Sequence, residues 1–153
     1  MGFRTKAAGV LALALTVSVG TAYAQSGPGK ERNVLMRSML QDAFVPLRTL
    51  AQGKAPFDKA AVDSSFALML SITDKVAPMW PPSSPSDPAG RFGSSPKVWE
   101  NKADFDAKLV SFKSVVQSTQ GLAAGGLDGL KDAFQKIDDS CNACHEPYRI
   151  RLR

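Results

Sequence analysis

Near the end of this 153-residue chain, Cys141, Asn142, Ala143, Cys144 and His145 follow one another directly. The five positions hold both cysteines and the single histidine of the chain. Two thiols spaced by two residues, with an imidazole immediately after, form C-x-x-C-H, the attachment sequence for c-type haem. In it the two sulfurs bond to the haem vinyl groups and the imidazole ligates the iron. Three other chemistries compete for the same residues. A redox-active thiol pair expects a strand before the motif and a helix starting at it, whereas here the pair falls late in a helical pattern. A zinc site needs four ligands, and no further Cys or His exists to complete it. A plain disulfide between Cys141 and Cys144 leaves His145 without a role. Haem attachment uses all three residues.

The element carrying the motif is predicted to be a helix beginning near Leu127, where Asp128 complements the positive end of the helix dipole. Leu127, Leu130, Phe134 and Ile137 recur at intervals of three and four. Continuing that stripe reaches Cys141, Cys144 and Tyr148, so the thiols are expected to face the core. His145 lies four residues after Cys141, on the same side of the helix and one turn along.

Three further helices are predicted. Met36, Leu40, Phe44, Leu47 and Leu50 share one face of a helix from about Glu31 to Gln52, stopped by Gly53 and kinked at Pro46. Val62, Phe66, Met69, Ile72 and Val76 mark a second, which must end near Pro78. Phe105, Leu109, Phe112 and Val116 mark a third, from about Lys97 to Leu122. Between the second and third, residues 77–96 hold six of the ten prolines, so this segment is a long crossover. Trp80, Phe92 and Trp99 give it a means of packing. No alternating strand pattern is present, and four amphipathic helices predict an all-α, antiparallel four-helix bundle.

Residues 1–24 have the form of a secretory signal peptide, with Arg4 and Lys6 before an apolar run and Ala22-Tyr23-Ala24 as the cleavage site. The run is too short to span a bilayer. The expected mature chain, residues 25–153, is one domain without a transmembrane anchor. Loss of Arg4 and Lys6 leaves 17 basic residues against 14 acidic ones, a formal charge of +3. Apart from Arg149, Arg151 and Arg153 the basic residues are scattered, with no aromatic-interleaved stripe of the kind that tracks nucleic acid. Nucleic-acid binding is therefore not expected.

With C-x-x-C-H at the end of a four-helix bundle, the mature chain resembles the cytochrome c prime family, the class II c-type cytochromes. CNACHEPYR from Cys141 to Arg149, SSPKVWENKADFD from Ser94 to Asp106 and GKAPFD from Gly53 to Asp58 carry the resemblance. The second block is most similar to the low-spin, Met-ligated branch. The resemblance implies one covalent haem c per chain, with Cys141 and Cys144 as attachment points and His145 as axial ligand. It implies Met36 as sixth ligand and Arg32, four residues earlier, near a haem propionate. Tyr148 and Arg149 match the aromatic residue and the Arg that follow the ligating His, while Pro147 between them is unusual. The interval from Met36 to Gly53 is one residue longer than the family pattern. Without a gap Arg37 would stand at the distal position, and Met39 lies on a neighbouring face. A role for Met36 in core packing alone also stays open.

The implied function is periplasmic one-electron transfer, not enzymatic catalysis, with periplasmic or membrane-bound redox proteins as partners. Pairing of two copies through the first two helices is a family form. The alternative is a five-coordinate protein binding nitric oxide or carbon monoxide.

Overall fold

The structure is a computed structural model that describes residues 27–84 and 90–152. The expected leader, residues 1–24, lies outside the described residues. Helix α1 is Pro28–Ser38, with Pro28 in its first turn, three residues before the expected start. A proline there gives up only an N–H that has no helical acceptor. The helical backbone continues through a π-helical segment, Met39–Phe44, into α2, Val45–Ala51. Gly53, at φ 66°, ends this first bundle helix. Its N–H donates to the Leu50 carbonyl at 2.9 Å and that of Lys54 to Thr49 at 3.0 Å, the Schellman arrangement.

The π segment corrects the simple stripe expected for this helix. Its widened turn is closed by the Val45 N–H donating five residues back to Leu40. Ala43 and Leu47 are fully buried as a result, while Leu40 is 45% exposed and Phe44 only partly buried. A π turn holds one more residue than an α turn would, so it can accommodate one extra residue between Met36 and Gly53 without turning α1 out of register. It also stands just before Pro46, which lacks an N–H and would crowd the carbonyl four residues back in a regular α-helix.

Helix α3, Lys59–Val76, starts at Asp58, whose Oδ1 accepts from the N–H groups of Ala60 and Ala61. It ends just before Pro78, as its proline predicts. The predicted third helix is divided: a short α4, Lys97–Glu100, is separated by Asn101 at φ −123°, ψ 48° from α5, Lys102–Ala124. Helix α6 is Leu127–Tyr148. The turn before it is tight, since a Cβ on Gly129 would stand 2.1 Å from the Leu122 carbonyl oxygen.

The four long helical units form an all-α four-helix bundle in which α5 lies between α3 and α6 and α2 packs on α6. Its main core joins Leu47, Val62, Phe66, Met69, Val116, Leu130 and Ile137. A second cluster at the haem-motif end joins Val76, Trp80, Val98, Phe105 and Tyr148. The crossover packs through Trp80, which is buried, and Trp99, which lies against that second cluster.

The absence of strand pattern does not hold for the backbone. Strand β1, Phe92–Ser94, pairs antiparallel with β2, Arg149–Arg151, which leaves α6 directly. Three residues per strand are too few for alternation to register in a sequence, and one of the six is a glycine.

Candidate functional site

The last turns of α6 carry Cys141, Cys144 and His145, all half-buried. The expectation that the thiols face inward agrees with their packing, but they face two different clusters. Cys141 lies against the main core and Cys144 against the second cluster. The first helix presents a matching pair, with Met39 on the cluster of Cys141 and Met36 on the cluster of Cys144. Two thiols and two thioethers thus share the apolar surroundings of α1 and the end of α6.

Cys141 and Cys144 form no disulfide with each other. Burial pushes the Cys141 thiol up to about 12, helped by the carboxylate of Asp138 and by Cys144. Burial also raises Cys144, with Lys108 opposing and Asp104 adding. A redox-active pair needs a stabilised thiolate, so these surroundings oppose the thiol oxidoreductase reading. Burial, then the charge of Arg149, lowers His145 to about 4, leaving a neutral imidazole able to donate a lone pair to a metal. Among the described residues no group of three or more His, Cys, Asp or Glu could hold a metal ion. Two attachment sulfurs, a neutral imidazole and apolar walls fit a haem, which brings four iron ligands of its own and a large apolar face.

Arg32 is 4% exposed. Its Nη1 donates to the Met79 carbonyl at 2.5 Å and to Ser84 Oγ at 3.3 Å. The guanidinium carbon lies 5.4 Å from the Trp80 ring centroid and 6.0 Å from that of Trp99. This cation is therefore built into the crossover, one helical turn before Met36. The indole N–H groups are satisfied as well, Trp80 donating to Ser94 Oγ and Trp99 to the Pro81 carbonyl.

Tyr148 is buried, and its ring stands edge-on to Phe105, which stands edge-on to Trp80. Its hydroxyl donates to Asp104 Oδ2 at 2.5 Å. That bond is the first cause of a Tyr148 pKa raised to about 12. Arg149 is exposed, with Nη1 3.5 Å from His145 Nδ1. Pro147 lies inside the last turn of α6, and the chain turns extended at Arg149, φ −107°, ψ 132°.

Asp104, Trp80 and Ser84 were not among the residues expected at the site. Asp104 lies off the apolar stripe of α5, and its only signal was its place in a block shared with the resembled family. Trp80 and Ser84 come from the crossover, where no periodicity operates.

A family model described as Cytochrome C' matches residues 28–149. Cytochrome c-555 of Bradyrhizobium diazoefficiens is 30% identical over 145 residues, covering 94% of this chain and 97% of that protein. The structure of oxidised cytochrome c556 of Rhodopseudomonas palustris superposes with a TM-score of 0.70 at 28% identity, over 80% of this chain and 95% of that one. Cytochrome c' of the same organism superposes with a TM-score of 0.75 at 24% identity, over 84% of this chain and all of that one, a likeness of fold.

Proposed function

The chain belongs to the cytochrome c' family and carries covalently attached haem c, and from that premise we propose that it is a one-electron carrier of the periplasm. In this reading Cys141 and Cys144 hold the haem, His145 ligates the iron on one side and Met36 on the other. Arg32 supplies positive charge for a propionate, and Tyr148 and Arg149 line the His145 side. Export by the leader places it where attachment is completed. When bound, the haem supplies an iron that takes up and releases one electron.

The observation that carries the reading is the shared cluster of Met36 and Cys144. A thioether on that cluster is a soft ligand, and Met/His ligation raises the potential of haem iron. Arg32 anchors the turn before Met36 through Met79 and the two tryptophans, which supports a fixed position for Met36 in this reading. Neutral His145 needs to shed no proton before it binds iron. The apolar walls limit the water that would otherwise reorganise when the iron changes charge.

The test is the optical spectrum of the haem-loaded protein and of Met36→Ala. A low-spin spectrum in the wild type that turns high-spin in Met36→Ala supports the carrier. A high-spin wild type that binds carbon monoxide rapidly assigns the chain to the gas-binding alternative. Retention of the low-spin spectrum in Met36→Ala, with its loss in Met39→Ala, moves the ligand to Met39.

A further inference from the structure

We propose that the β1–β2 ladder is a docking surface for an acidic redox protein, through which electrons pass on the His145 side of the haem. The proposal rests on the electron-carrier reading.

The ladder follows the ligand directly. β2 begins four residues after His145 and pairs Arg149 with Ser94, Ile150 with Gly93 and Arg151 with Phe92. It is held at both ends, by the Ser95 N–H donating to the Tyr148 carbonyl at 2.8 Å and the Leu152 N–H donating to the Arg91 carbonyl at 3.0 Å. The Leu152 side chain lies over Gly93, 3.3 Å from where a Cβ would stand. The surface is thus a tied structure and not a loose tail.

Its composition is that of a recognition patch. Arg91, Arg149 and Arg151 are exposed, and among the described residues none of them forms an ion pair. Beside Arg149 and Arg151, on the same face, Phe92 is 37% exposed, while Ile150 turns to the other face. The guanidinium carbons of Arg91 and Arg149 lie 5.6 and 5.1 Å from the Phe92 ring centroid. Like charges gathered on one small ladder repel one another. Phe92, Arg149 and Arg151 share one face of the ladder, and an acidic surface set against it would relieve that repulsion, steer the encounter and leave the aromatic ring as the contact at the centre. Arg149 connects the patch to the haem ligand, since its guanidinium meets both the Phe92 ring and His145 Nδ1.

The experiment measures the electron-transfer rate of the haem-loaded protein at a gold electrode coated with a carboxylate-terminated monolayer, as a function of salt. The double variant Arg91→Glu, Arg151→Glu leaves Arg149 in place. It is expected to lose at least tenfold in rate at low salt and to lose the fall in rate with rising salt. The variant Lys59→Glu, Lys131→Glu makes the same change in net charge away from the ladder and is expected to keep the wild-type rate. Equal losses in both variants, or no loss in the first, overturn the proposal. So does binding of the wild type to phosphatidylglycerol vesicles without any difference at the electrode, which assigns the patch to a membrane surface. The optical spectra of the same samples report the iron ligation, so failure of the carrier reading is seen separately.

Discussion

Deleting Leu40 tests whether the π segment is an absorbed insertion that keeps Met36 in place. Leu40 is 45% exposed, so its removal sacrifices little buried surface. In an uninterrupted α-helix, loss of one residue would turn everything before it by about 100° and shift it about 1.5 Å along the axis. With Cα atoms about 2.3 Å from the axis, that rotation moves the Cα of residue 36 by about 3.5 Å and a side-chain tip at twice the radius by about 7 Å. Here the π turn can relax to an α turn instead, leaving α1 in register. The haem-loaded deletion variant should therefore keep the wild-type iron ligation in its optical spectrum. Its stability should fall, because Pro46 would then sit in a regular helix interior at a cost of about 3 kcal/mol. Adding Pro46→Ala should recover most of that loss in denaturant unfolding. Deleting both Leu40 and Gln41 exceeds what the π turn can absorb and should remove the thioether, giving the spectrum of Met36→Ala. A folded single-deletion variant with altered ligation, or a double deletion that keeps it, would show that the π turn is not what holds Met36 in register.

Gly129→Ala should destabilise the protein by about 1–3 kcal/mol, seen as a lowered thermal midpoint, because the added methyl meets the Leu122 carbonyl and backbone must move. Tyr148→Phe should lower stability in denaturant unfolding while leaving the haem spectrum unchanged, as only the bond to Asp104 is lost. The chain has two tyrosines, Tyr23 in the leader and Tyr148, so ultraviolet titration of the mature protein reads Tyr148 alone. Its phenolate should form near pH 12 and not near 10, and Asp104→Asn should move the transition down. Because the folded value is raised, this bond stabilises the fold below pH 10, and the contribution is lost as pH climbs through 12. A transition near 10 in the wild type would contradict the bond from Tyr148 to Asp104.

The four-helix plan was readable from residues whose effects are local or periodic. Val62, Phe66 and Met69 on α3 and Leu130 and Ile137 on α6 bury as their spacing predicts, and Gly53 and Pro78 stop their helices. The failures occur where one element answers to another. Leu40 looked like a core residue because a 3.6-residue period was carried through a stretch that is wound as a π turn. Asn101 breaks a helix whose stripe continues unchanged on either side. The β1–β2 ladder joins segments more than fifty positions apart through backbone groups, which no side-chain pattern reports. At the site, the haem motif itself was plain, whereas the holding of Arg32 by Met79, Ser84 and two tryptophans required the crossover to fold back on α1.

Iron-edge X-ray absorption of the oxidised haem-loaded protein counts the atoms bound to the metal and so reads the Met36 ligation itself. One sulfur neighbour is expected beside the nitrogens of the haem and His145, present in the wild type and absent in Met36→Ala. An iron surrounded by nitrogen alone in the wild type would contradict that ligation.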